Sequence, residues 1–306
     1  MTVTRRTLLK TTTAAAAIGA LPFGQAAWAK SSTLLGKIKI DVLSDGHMVL
    51  PVKSVYSKVP EKDYLPVLKS HGITTDAINA DLNLTLVRDG KNTILFDVGA
   101  GPNFMPTSGK LGEALEALEL DPSEVTHVVF THAHPDHLWG LLDDFDEPLF
   151  SEAKHMIGKA EWDYWIDPKT MTTIGEERQV FAAGAARNLK AIEEQISFFK
   201  FGEEILPGVM ARDAVGHTPG HSAFEVRSGS ESLMIVGDAI TNDHMAFEYP
   251  KWHAGFDQDD ETAVKTRLSL LDQLATEKQM IIGYHLPHPG IGRVEKKDNA
   301  YKFVAA

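Results

Sequence analysis

Apolar positions recur along the chain with two periods, and each period predicts one kind of secondary structure. Residues 37–46, KIKIDVLSDG, alternate enough to predict a strand that ends in a turn. Residues 83–101 contain two β-rich runs on either side of an Asp-Gly dipeptide, which predicts a hairpin. Residues 126–132, THVVFTH, predict a short buried strand, and residues 278–285, KQMIIGYH, predict the last strand.

Segments with helical periodicity lie between these strands. Three leucines share one face of a helix predicted over residues 108–120, for which Ser108 is the predicted N-cap. Residues 260–277 predict a second helix, and the region from 152 to 200 is predicted to be mostly helical. Strands that alternate with helices, together with hairpins, indicate an α/β fold with a mixed sheet and helices outside. No linker interrupts residues 30–306, which we therefore predict to form a single domain.

Residues 1–29 are predicted to be an export signal and not part of the fold. Arg5 and Arg6 stand side by side in a segment without acidic residues, ahead of a short apolar stretch and an Ala-Trp-Ala cleavage sequence at 27–29. Adjacent arginines are typical of a twin-arginine signal. A membrane anchor is the alternative, but the apolar stretch is too short to span a bilayer. We therefore expect a periplasmic protein.

The composition narrows the chemistry that is available. The formal net charge of −12 argues against a nucleic-acid or anionic-membrane partner, because phosphate groups demand basic patches. The chain contains no cysteine, which excludes disulfides, thiolate nucleophiles and cysteine-ligated zinc sites. Any bound metal must therefore be held by His, Asp or Glu.

The segment THAHPDHLWG, residues 131–140, places three histidines and an aspartate within six positions. His132 and His134 are two residues apart, so both can point the same way in an extended loop. Asp136 and His137 follow a proline and face a different direction. Four ligands so close together rarely serve one catalytic ion, because a tetrahedral site also needs an open position. We therefore predict that two ions divide this set between them.

Three later polar clusters also follow predicted strands, where side chains gather at one rim of a sheet. They are GHTPGHS with His217 and His221, GDA with Asp238, and GYHLPH with His285 and His288. The two oxygens of Asp238 could bridge a pair of ions. Ions about 3.5–4 Å apart would lower the pKa of a shared water and hold the oxygens of a displacement reaction.

Taken in this order, THAHPDH, GHTPGHS, GDA and GYH resemble the motifs of the metallo-β-lactamase superfamily, and LFDVGAG resembles the motif that precedes its metal loop. The resemblance extends from about residue 38 to the C-terminus. It implies a four-layer αββα sandwich in which two mixed sheets are flanked by helices. LSDGHMVLPV, GVMARDAVGHTPGHSAFEV and HPGIGRV look similar to the branch that holds methyl parathion hydrolase and related lactonases.

The resemblance also implies roles for individual residues. One ion would be held by His132, His134 and His221, the second by Asp136, His137 and His285, and Asp238 would bridge the two. Asp97 would orient a ligand or the metal loop. His217 competes with His221 and His288 competes with His285, and the superfamily pattern favours the histidine after TPG and the one that closes the strand. An aromatic mouth over the metals would include Phe104, Trp165 and Phe181.

The activity implied is hydrolysis of lactones, aryl esters and organophosphate triesters by a metal-bridging hydroxide. Asp136 and Asp238 would be the catalytic carboxylates, with Asp136 passing a proton to the leaving group. Zn²⁺ is the predicted metal, with Fe, Mn and Co as alternatives, because imidazole-carboxylate sites accept all of them. The partner would be a small-molecule substrate, and relatives suggest a homodimer.

Three alternatives remain on the sequence alone. A β-lactamase would share the fold and the compartment, although no cysteine ligand is available. A glyoxalase II-like thioesterase would share the motifs, although the chain has no basic cluster for glutathione carboxylates. A periplasmic metal-binding protein without catalysis is the third, and the intact set of ligands argues against it.

Overall fold

Fourteen strands form two seven-stranded mixed sheets in the part of the chain that the computed structural model describes, residues 31–306. The predicted export signal, residues 1–29, lies outside the described residues. Within the described range, no helix is both long and apolar enough to cross a membrane.

The first sheet contains its strands in chain order. They are β1 (Ser31–Leu35), β2 (Ile38–Pro51), β3 (Ala77–Arg88), β4 (Thr93–Phe96), β5 (His127–Val129), β6 (Lys154–Gly158) and β7 (Ile196–Phe199). Strands β1 to β4 pair antiparallel, and β4 to β7 pair parallel. The carboxyl ends of β4 and β5 therefore lie next to each other at one edge of the sheet.

The second sheet also follows chain order. It comprises β8 (Glu204–Leu206), β9 (Val209–Asp213), β10 (Ser222–Ser228), β11 (Glu231–Ile235), β12 (Met280–Ile282), β13 (Ile291–Lys297) and β14 (Ala300–Ala305). Only β11 and β12 pair parallel, and the other neighbours are antiparallel. The parallel pair brings the carboxyl ends of β11 and β12 together, as β4 and β5 do in the first sheet.

The helices lie before, between and after these strands. They are α1 (Val52–Val55), α2 (Glu61–Ser70), α3 (Leu111–Ala117), α4 (Pro135–Leu138), α5 (Lys159–Ile166), α6 (Thr170–Thr173), α7 (Gln179–Ala191), α8 (Met245–Glu248) and α9 (Asp260–Glu277). Short 3-10 turns cover Pro122–Glu124, Trp139–Leu141, Glu176–Arg178 and Gly237–Ala239.

Of the four apolar cores in the described residues, three stack through the molecule and define the layers. The central core lies between the sheets and joins Phe96 and Val129 to Phe224 and Ile282. A second core packs α3, α5 and α7 onto the first sheet. A third packs α9 onto the second sheet, with Leu271 among its members. Because each sheet buries both of its faces in this way, the predicted four-layer αββα sandwich is confirmed.

Several local predictions can be compared with these elements. The hairpin of β3 and β4 and the helix α9 are confirmed at the predicted places. Ser108 is not an N-cap, because Gly109 follows it with φ 75° and the helix starts only at Leu111. Strand β12 is not the last, since β13 and β14 follow it. The region 152–200 contains α5, α6 and α7 but begins and ends in strands.

Candidate metal centre

The metal loop, residues 131–137, follows β5 and is held from behind by Asp97, which follows β4. Asp97 has φ 61°, which turns its carboxylate toward the loop. It accepts hydrogen bonds from the Thr131 amide (2.8 Å), from the Thr131 hydroxyl (2.7 Å) and from Nδ1 of His137 (2.8 Å). The structure thus places Asp97 where it orients both the loop and one of its histidines.

The first cluster comprises His132, His134, His217 and Asp238, whose ligand atoms all lie within 4.8 Å of one another. Nδ1 of His134 lies 3.0 Å from Nε2 of His132 and 2.9 Å from Nε2 of His217. Nε2 of His217 lies 3.3 Å from Oδ2 of Asp238. His217 reaches the cluster from the β9–β10 loop, residues 214–221, and all four residues are buried.

The second cluster comprises Asp136, His137 and His285, again with ligand atoms within 4.8 Å. Oδ2 of Asp136 lies 3.3 Å from Nε2 of His137 and 3.3 Å from Nε2 of His285. His285 follows β12, so it enters from the second sheet while the other two come from the metal loop.

Asp238 lies between the two clusters. Its Oδ1 is 3.2 Å from Nε2 of His137, and its Oδ2 is 3.2 Å from Nε2 of His285 and 3.3 Å from Nε2 of His217. Asp238 follows β11, and β11 pairs parallel with the β12 strand that precedes His285. The parallel pair therefore explains why this carboxylate contacts both clusters.

His221 does not join either cluster, which corrects the prediction that it completes the first one. Its Nδ1 donates to the carbonyl of Ala214 (3.0 Å), and its Nε2 accepts from the backbone amide of Asp238 (2.9 Å). With both ring nitrogens engaged, His221 has no lone pair left for a metal. Its contact with the Asp238 backbone positions that carboxylate instead. The structure places His217 in the position that the sequence assigned to His221.

In His217 and His285, the ring nitrogen that points away from the cluster has a hydrogen-bond acceptor of its own. His217 donates through Nδ1 to buried Asp257 (3.0 Å), whose other oxygen accepts from Arg267 (2.8 Å). His285 donates through Nδ1 to the carbonyl of Asp81 (2.9 Å). Such bonds fix the tautomer so that the opposite nitrogen faces the ligands around it. Asp257 was missed from the sequence, because nothing local in AGFDQDD distinguishes it from an exposed acid.

His288 lies behind His285 and not in the cluster. Its ring Nδ1 is 2.7 Å from Oδ1 of Asn83, and its backbone amide donates to Asp81 (2.8 Å). The same Asn83 donates to the carbonyls of Gly283 and Leu286. Strand β3 thus holds the loop that carries His285, and the choice of His285 over His288 agrees with the geometry.

The electrostatics of the two clusters differ. Burial holds the pKa values of His132 and His134 well below the usual value for histidine. Burial also acts on His137 and His285, but the carboxylates of Asp238 and Asp136 outweigh it. They raise the pKa of His137 well above its usual value and that of His285 to about 10. The pKa of Asp238 is lowered well below its usual value, since His285 and His137 outweigh the effect of burial.

The donor set fits divalent cations. Three buried atoms that face the centre, Oδ2 of Asp136, Nε2 of His137 and Oδ1 of Asp238, have no hydrogen-bond partner. Leaving buried polar atoms unpaired costs free energy, and a cation between them would satisfy all three. Neutral imidazoles and carboxylates are ligands for Zn²⁺, Fe²⁺, Mn²⁺ and Co²⁺. The two clusters are therefore candidate sites for two divalent ions.

A cavity of about 260 Å³ opens above the clusters. His134, Asp136, His217, Asp238 and His285 form its polar floor, and its walls are mainly apolar. Phe104 and Phe181 line it, as the sequence analysis expected.

Trp165 does not line this cavity, which corrects the third aromatic prediction. It is 1% exposed and packs behind His134, with ring centroids 5.7 Å apart in an edge-on arrangement. Its indole nitrogen donates to Glu161 (2.5 Å). Trp165 therefore supports the loop below the cavity and offers no surface to a substrate.

The sequence profile described as the metallo-beta-lactamase superfamily matches residues 82–285, which is more than half of the chain. The matched range begins in β3 and ends at His285, so it contains every residue of both clusters. This protein therefore belongs to the metallo-β-lactamase superfamily, which confirms the family assignment made from the motifs. The narrower resemblance to methyl parathion hydrolase stays a prediction.

Two solved structures are similar over nearly the whole described chain. AidC, a dizinc quorum-quenching lactonase solved with its product N-hexanoyl-L-homoserine, has a TM-score of 0.86 and 27% identity. The match covers 90% of this chain and 97% of AidC. AbOPH, a hydrolase of the beta lactamase superfamily, has a TM-score of 0.84 and 27% identity with the same coverage.

Curated relatives match over a shorter range. The N-acyl homoserine lactonase AttM of Rhizobium johnstonii is 30% identical over 135 residues, which are 43% of this chain and 48% of AttM. AttM of Agrobacterium fabrum is 27% identical over 135 residues, with the same coverage of both chains. The chain thus spans about half the length of these lactonases.

Proposed function

We propose that this protein is a metal-dependent hydrolase that opens lactones with two divalent ions, with aryl esters and organophosphate triesters as further substrates. The observation that carries the proposal is the pair of ligand clusters, joined by Asp238, at the floor of one apolar cavity. A reactive centre and an apolar surface for the rest of the substrate therefore adjoin each other.

His132, His134, His217 and Asp238 would hold one ion, and Asp136, His137 and His285 would hold the other, with Asp238 contacting both. Such ions would lower the pKa of a water between them and polarise the substrate oxygen. The metal is proposed to be Zn²⁺, in line with the dizinc relative AidC. Iron, manganese and cobalt fit the same ligands.

The carboxylates of Asp136 and Asp238 lie in the cavity floor, where a bound substrate would meet them. The pKa of Asp136 lies below its usual range, because His137 and His285 outweigh the effect of burial. Asp136 is therefore ionised at neutral pH. We assign to it the transfer of a proton from the attacking water to the leaving oxygen.

The cavity walls indicate the substrate class. Met48, Leu50, Ile78, Phe104 and Phe181 surround the space above the floor. Apolar walls favour a neutral substrate with an acyl or aryl arm over a polyanion, which agrees with the acidic net charge of the chain. Two relatives are N-acyl homoserine lactonases by name, and AidC was solved with the opened product. N-hexanoyl-L-homoserine lactone is therefore the first substrate to test.

The test measures hydrolysis of this lactone, of an aryl ester and of a phosphotriester by the Zn²⁺-loaded protein before and after chelation. We expect lactone turnover that disappears with the metal and returns when Zn²⁺ is restored. Nitrocefin and S-lactoylglutathione serve as probes for the β-lactamase and thioesterase alternatives. Two bound ions without turnover of any substrate would favour a metal-binding protein and overturn the proposal.

A matched pair of variants tests the cavity itself. Phe181→Ala removes an aromatic wall, so we expect KM for the hexanoyl substrate to rise about tenfold, given the apolar area lost. The control is Val180→Ala, because Val180 is the neighbouring residue of the same helix and is 57% exposed. Equal KM values for the two variants would show that the acyl arm does not bind along Phe181.

Export is the remaining part of the proposal. The supporting feature is the pair Arg5 and Arg6 ahead of the apolar stretch and the cleavage sequence. Replacing both arginines with lysine should leave the protein in the cytoplasmic fraction, whereas the unaltered chain should appear in the periplasmic fraction. Equal fractionation of the two would contradict a twin-arginine route.

A further inference from the structure

Helix α5 contributes a carboxylate to the region directly below the first cluster. Glu161 is 0% exposed and does not line the cavity, and its hydrogen bonds go to residues outside the two clusters. Its two oxygens accept four hydrogen bonds from neutral groups. Burying a carboxylate is costly unless such donors surround it, and a buried group of this kind needs an explanation.

The four donors come from two different ligand-bearing loops and from α5 itself. Oε1 accepts from the backbone amide of Ala133 (3.0 Å), which stands between His132 and His134 in the metal loop. It also accepts from Trp165, one turn further along α5. Glu161 thus binds the metal loop at Ala133, between two histidines of the first cluster.

The second oxygen binds the β9–β10 loop. Oε2 accepts from the hydroxyl of Thr218 (2.7 Å) and from the amide of Gly220 (2.9 Å). Thr218 directly follows His217. At position 220 any side chain would collide with α5, because an added Cβ would lie 2.1 Å from the backbone nitrogen of Glu161. The glycine lets the loop approach closely enough for this bond.

We propose that Glu161 is a positioning residue that sets the distance between the metal loop and the β9–β10 loop, and thereby the geometry of the first cluster. The inference rests on the proposed binding of two ions. Nothing that Glu161 touches belongs to the second cluster, whose members come from the metal loop after Ala133 and from the loop after β12. Removing Glu161 should therefore weaken one ion selectively.

The two loops stay in contact without Glu161, since Nε2 of His217 lies 2.9 Å from Nδ1 of His134. The amide of Ser222 donates to the carbonyl of Thr131 (2.9 Å). A variant at position 161 therefore retains contacts between the loops but loses the carboxylate whose hydrogen bonds fix their spacing. A ligand shifted by a fraction of an ångström binds less tightly, and partners behind ligands typically contribute 10–100-fold in affinity.

The main variant is Glu161→Gln, whose amide nitrogen would face two donors in place of an acceptor. Thr218→Val removes a single bond from the same carboxylate without adding a donor. A further variant, Tyr284→Phe, is directed at the second cluster. The Tyr284 hydroxyl donates to the carbonyl of Asp136 (2.7 Å), and its ring stacks on His137. The control is Asp163→Asn, an acid on the same helix with a side chain 57% exposed.

The experiment titrates each metal-free protein with buffered Zn²⁺. Anomalous diffraction from crystals at several Zn²⁺ concentrations then gives the occupancy of each cluster, and thermal unfolding reports stability separately. For Glu161→Gln we expect affinity at the first cluster to fall about 10–100-fold while the second changes by less than about threefold. Thr218→Val should lower Zn²⁺ affinity at the first cluster by a smaller factor. Tyr284→Phe should lower Zn²⁺ affinity at the second cluster, and Asp163→Asn should change the affinity of neither cluster.

The outcomes separate the two proposals. Two Zn²⁺ bound by the unaltered chain, with Glu161→Gln and Thr218→Val weakening both clusters equally or neither, would overturn the role of Glu161 alone. A lower melting temperature with unchanged occupancies would also overturn it, since it would assign Glu161 to folding only. Failure of the unaltered chain to bind two Zn²⁺ would overturn the proposed function and this inference with it. If Glu161→Gln does not fold, Thr218→Val decides.

Discussion

The two ligand clusters differ in the charge of their histidines, although both are buried in the same centre. In the first cluster, burial dominates and lowers the pKa values of His132 and His134, so these rings are neutral. In the second, carboxylates dominate and raise the pKa values of His137 and His285, so these rings are protonated without metal. His132 and His134 are therefore already in the form that a cation needs, whereas His137 and His285 must release protons.

The positions of the carboxylates explain the difference. His137 lies near Asp97, Asp136 and Asp238, whereas His132 and His134 mainly face other imidazoles. Neighbouring opposite charges favour the protonated ring, and desolvation alone favours the neutral ring. The comparison predicts that the metal affinities of the two clusters respond differently to substitution of a ligand, to pH and to substitution of residues that hydrogen-bond to the ligands.

Removing the carboxylate common to both clusters should have the largest effect. Asp238→Ala takes away the group that lies 3.2–3.3 Å from histidines of each cluster. We expect fewer than two ions per chain and a loss of kcat/KM of about a thousandfold or more, as for loss of a principal electrostatic group. Metal analysis and lactone kinetics measure the two effects. Full activity with two ions retained would show that Asp238 does not couple the clusters.

The pH dependence of metal affinity should separate the clusters next. Between pH 7 and 9 an ion entering the second cluster must displace protons from His137 and His285, since the pKa of His285 is about 10 and that of His137 is also raised. Two displaced protons lower the apparent affinity about 100-fold for each unit of pH decrease. The first cluster should show a smaller slope, because burial already keeps His132 and His134 neutral.

The raised histidine pKa values also make the stability of the metal-free protein depend on pH, but this stability falls as the pH rises, whereas metal affinity increases. A raised histidine pKa contributes stability that is complete below the usual value of 6.5 and is lost as the pH rises toward about 10.

The protons displaced by each ion can be counted directly. Zn²⁺ titrations in buffers with different ionisation enthalpies count the protons released at each step. Equal proton release for both ions would contradict the assigned charges.

The two histidines of GHTPGHS provide the next test. His217→Gln removes a ring from the first cluster, and we expect Zn²⁺ affinity there to fall more than about 100-fold. His221→Gln removes the ring's bonds to the Asp238 amide and to the Ala214 carbonyl but no member of a cluster, and a loss of about tenfold is typical of such a change. Occupancy measurements on the two variants compare them directly. A larger loss for His221→Gln would restore the assignment made from the sequence.

The part of the centre that could be predicted from sequence is the part that local patterns encode. Apolar periodicity predicted the hairpin of β3 and β4 and the helix α9, and the histidine spacing identified the metal loop. The predicted meeting of Asp238 and His285 agrees with the parallel pairing of β11 and β12, whose carboxyl ends adjoin at one edge of the second sheet.

The remaining features depend on the path of the backbone and on distant contacts. His217 and His221 lie in one loop, and only its turn, with Gly216 at φ 122°, decides which ring faces the cluster. Trp165 is an aromatic residue of the kind that often lines a cavity, yet its contacts with Glu161 and His134 hold its ring below the cavity floor. Asp257 and Glu161 bind loop residues 28 to 59 positions away, a separation that no local pattern records.

Another buried histidine, His155 in β6, isolates the effect of burial without carboxylates or metal ligands. It is buried, stacks on Phe130, and neither ring nitrogen has a hydrogen-bond partner. Burial lowers its pKa to about 4. Because the unfolded chain takes up a proton near pH 6.5 and the folded chain does not, stability is lost as the pH falls from about 6.5 to about 4.

Replacing this ring should therefore remove part of the acid sensitivity. Between pH 8 and pH 5 the linkage amounts to about 2 kcal/mol, at 1.36 kcal/mol per unit of pKa shift. We expect the stability advantage of His155→Leu over the unaltered protein to be about 2 kcal/mol larger at pH 5 than at pH 8. Urea unfolding at the two pH values measures this difference, with His253→Leu as the control because His253 is partly exposed. A pH-independent difference would mean that the His155 ring reaches solvent or a partner when it titrates, and burial alone would no longer explain the neutral rings of the first cluster.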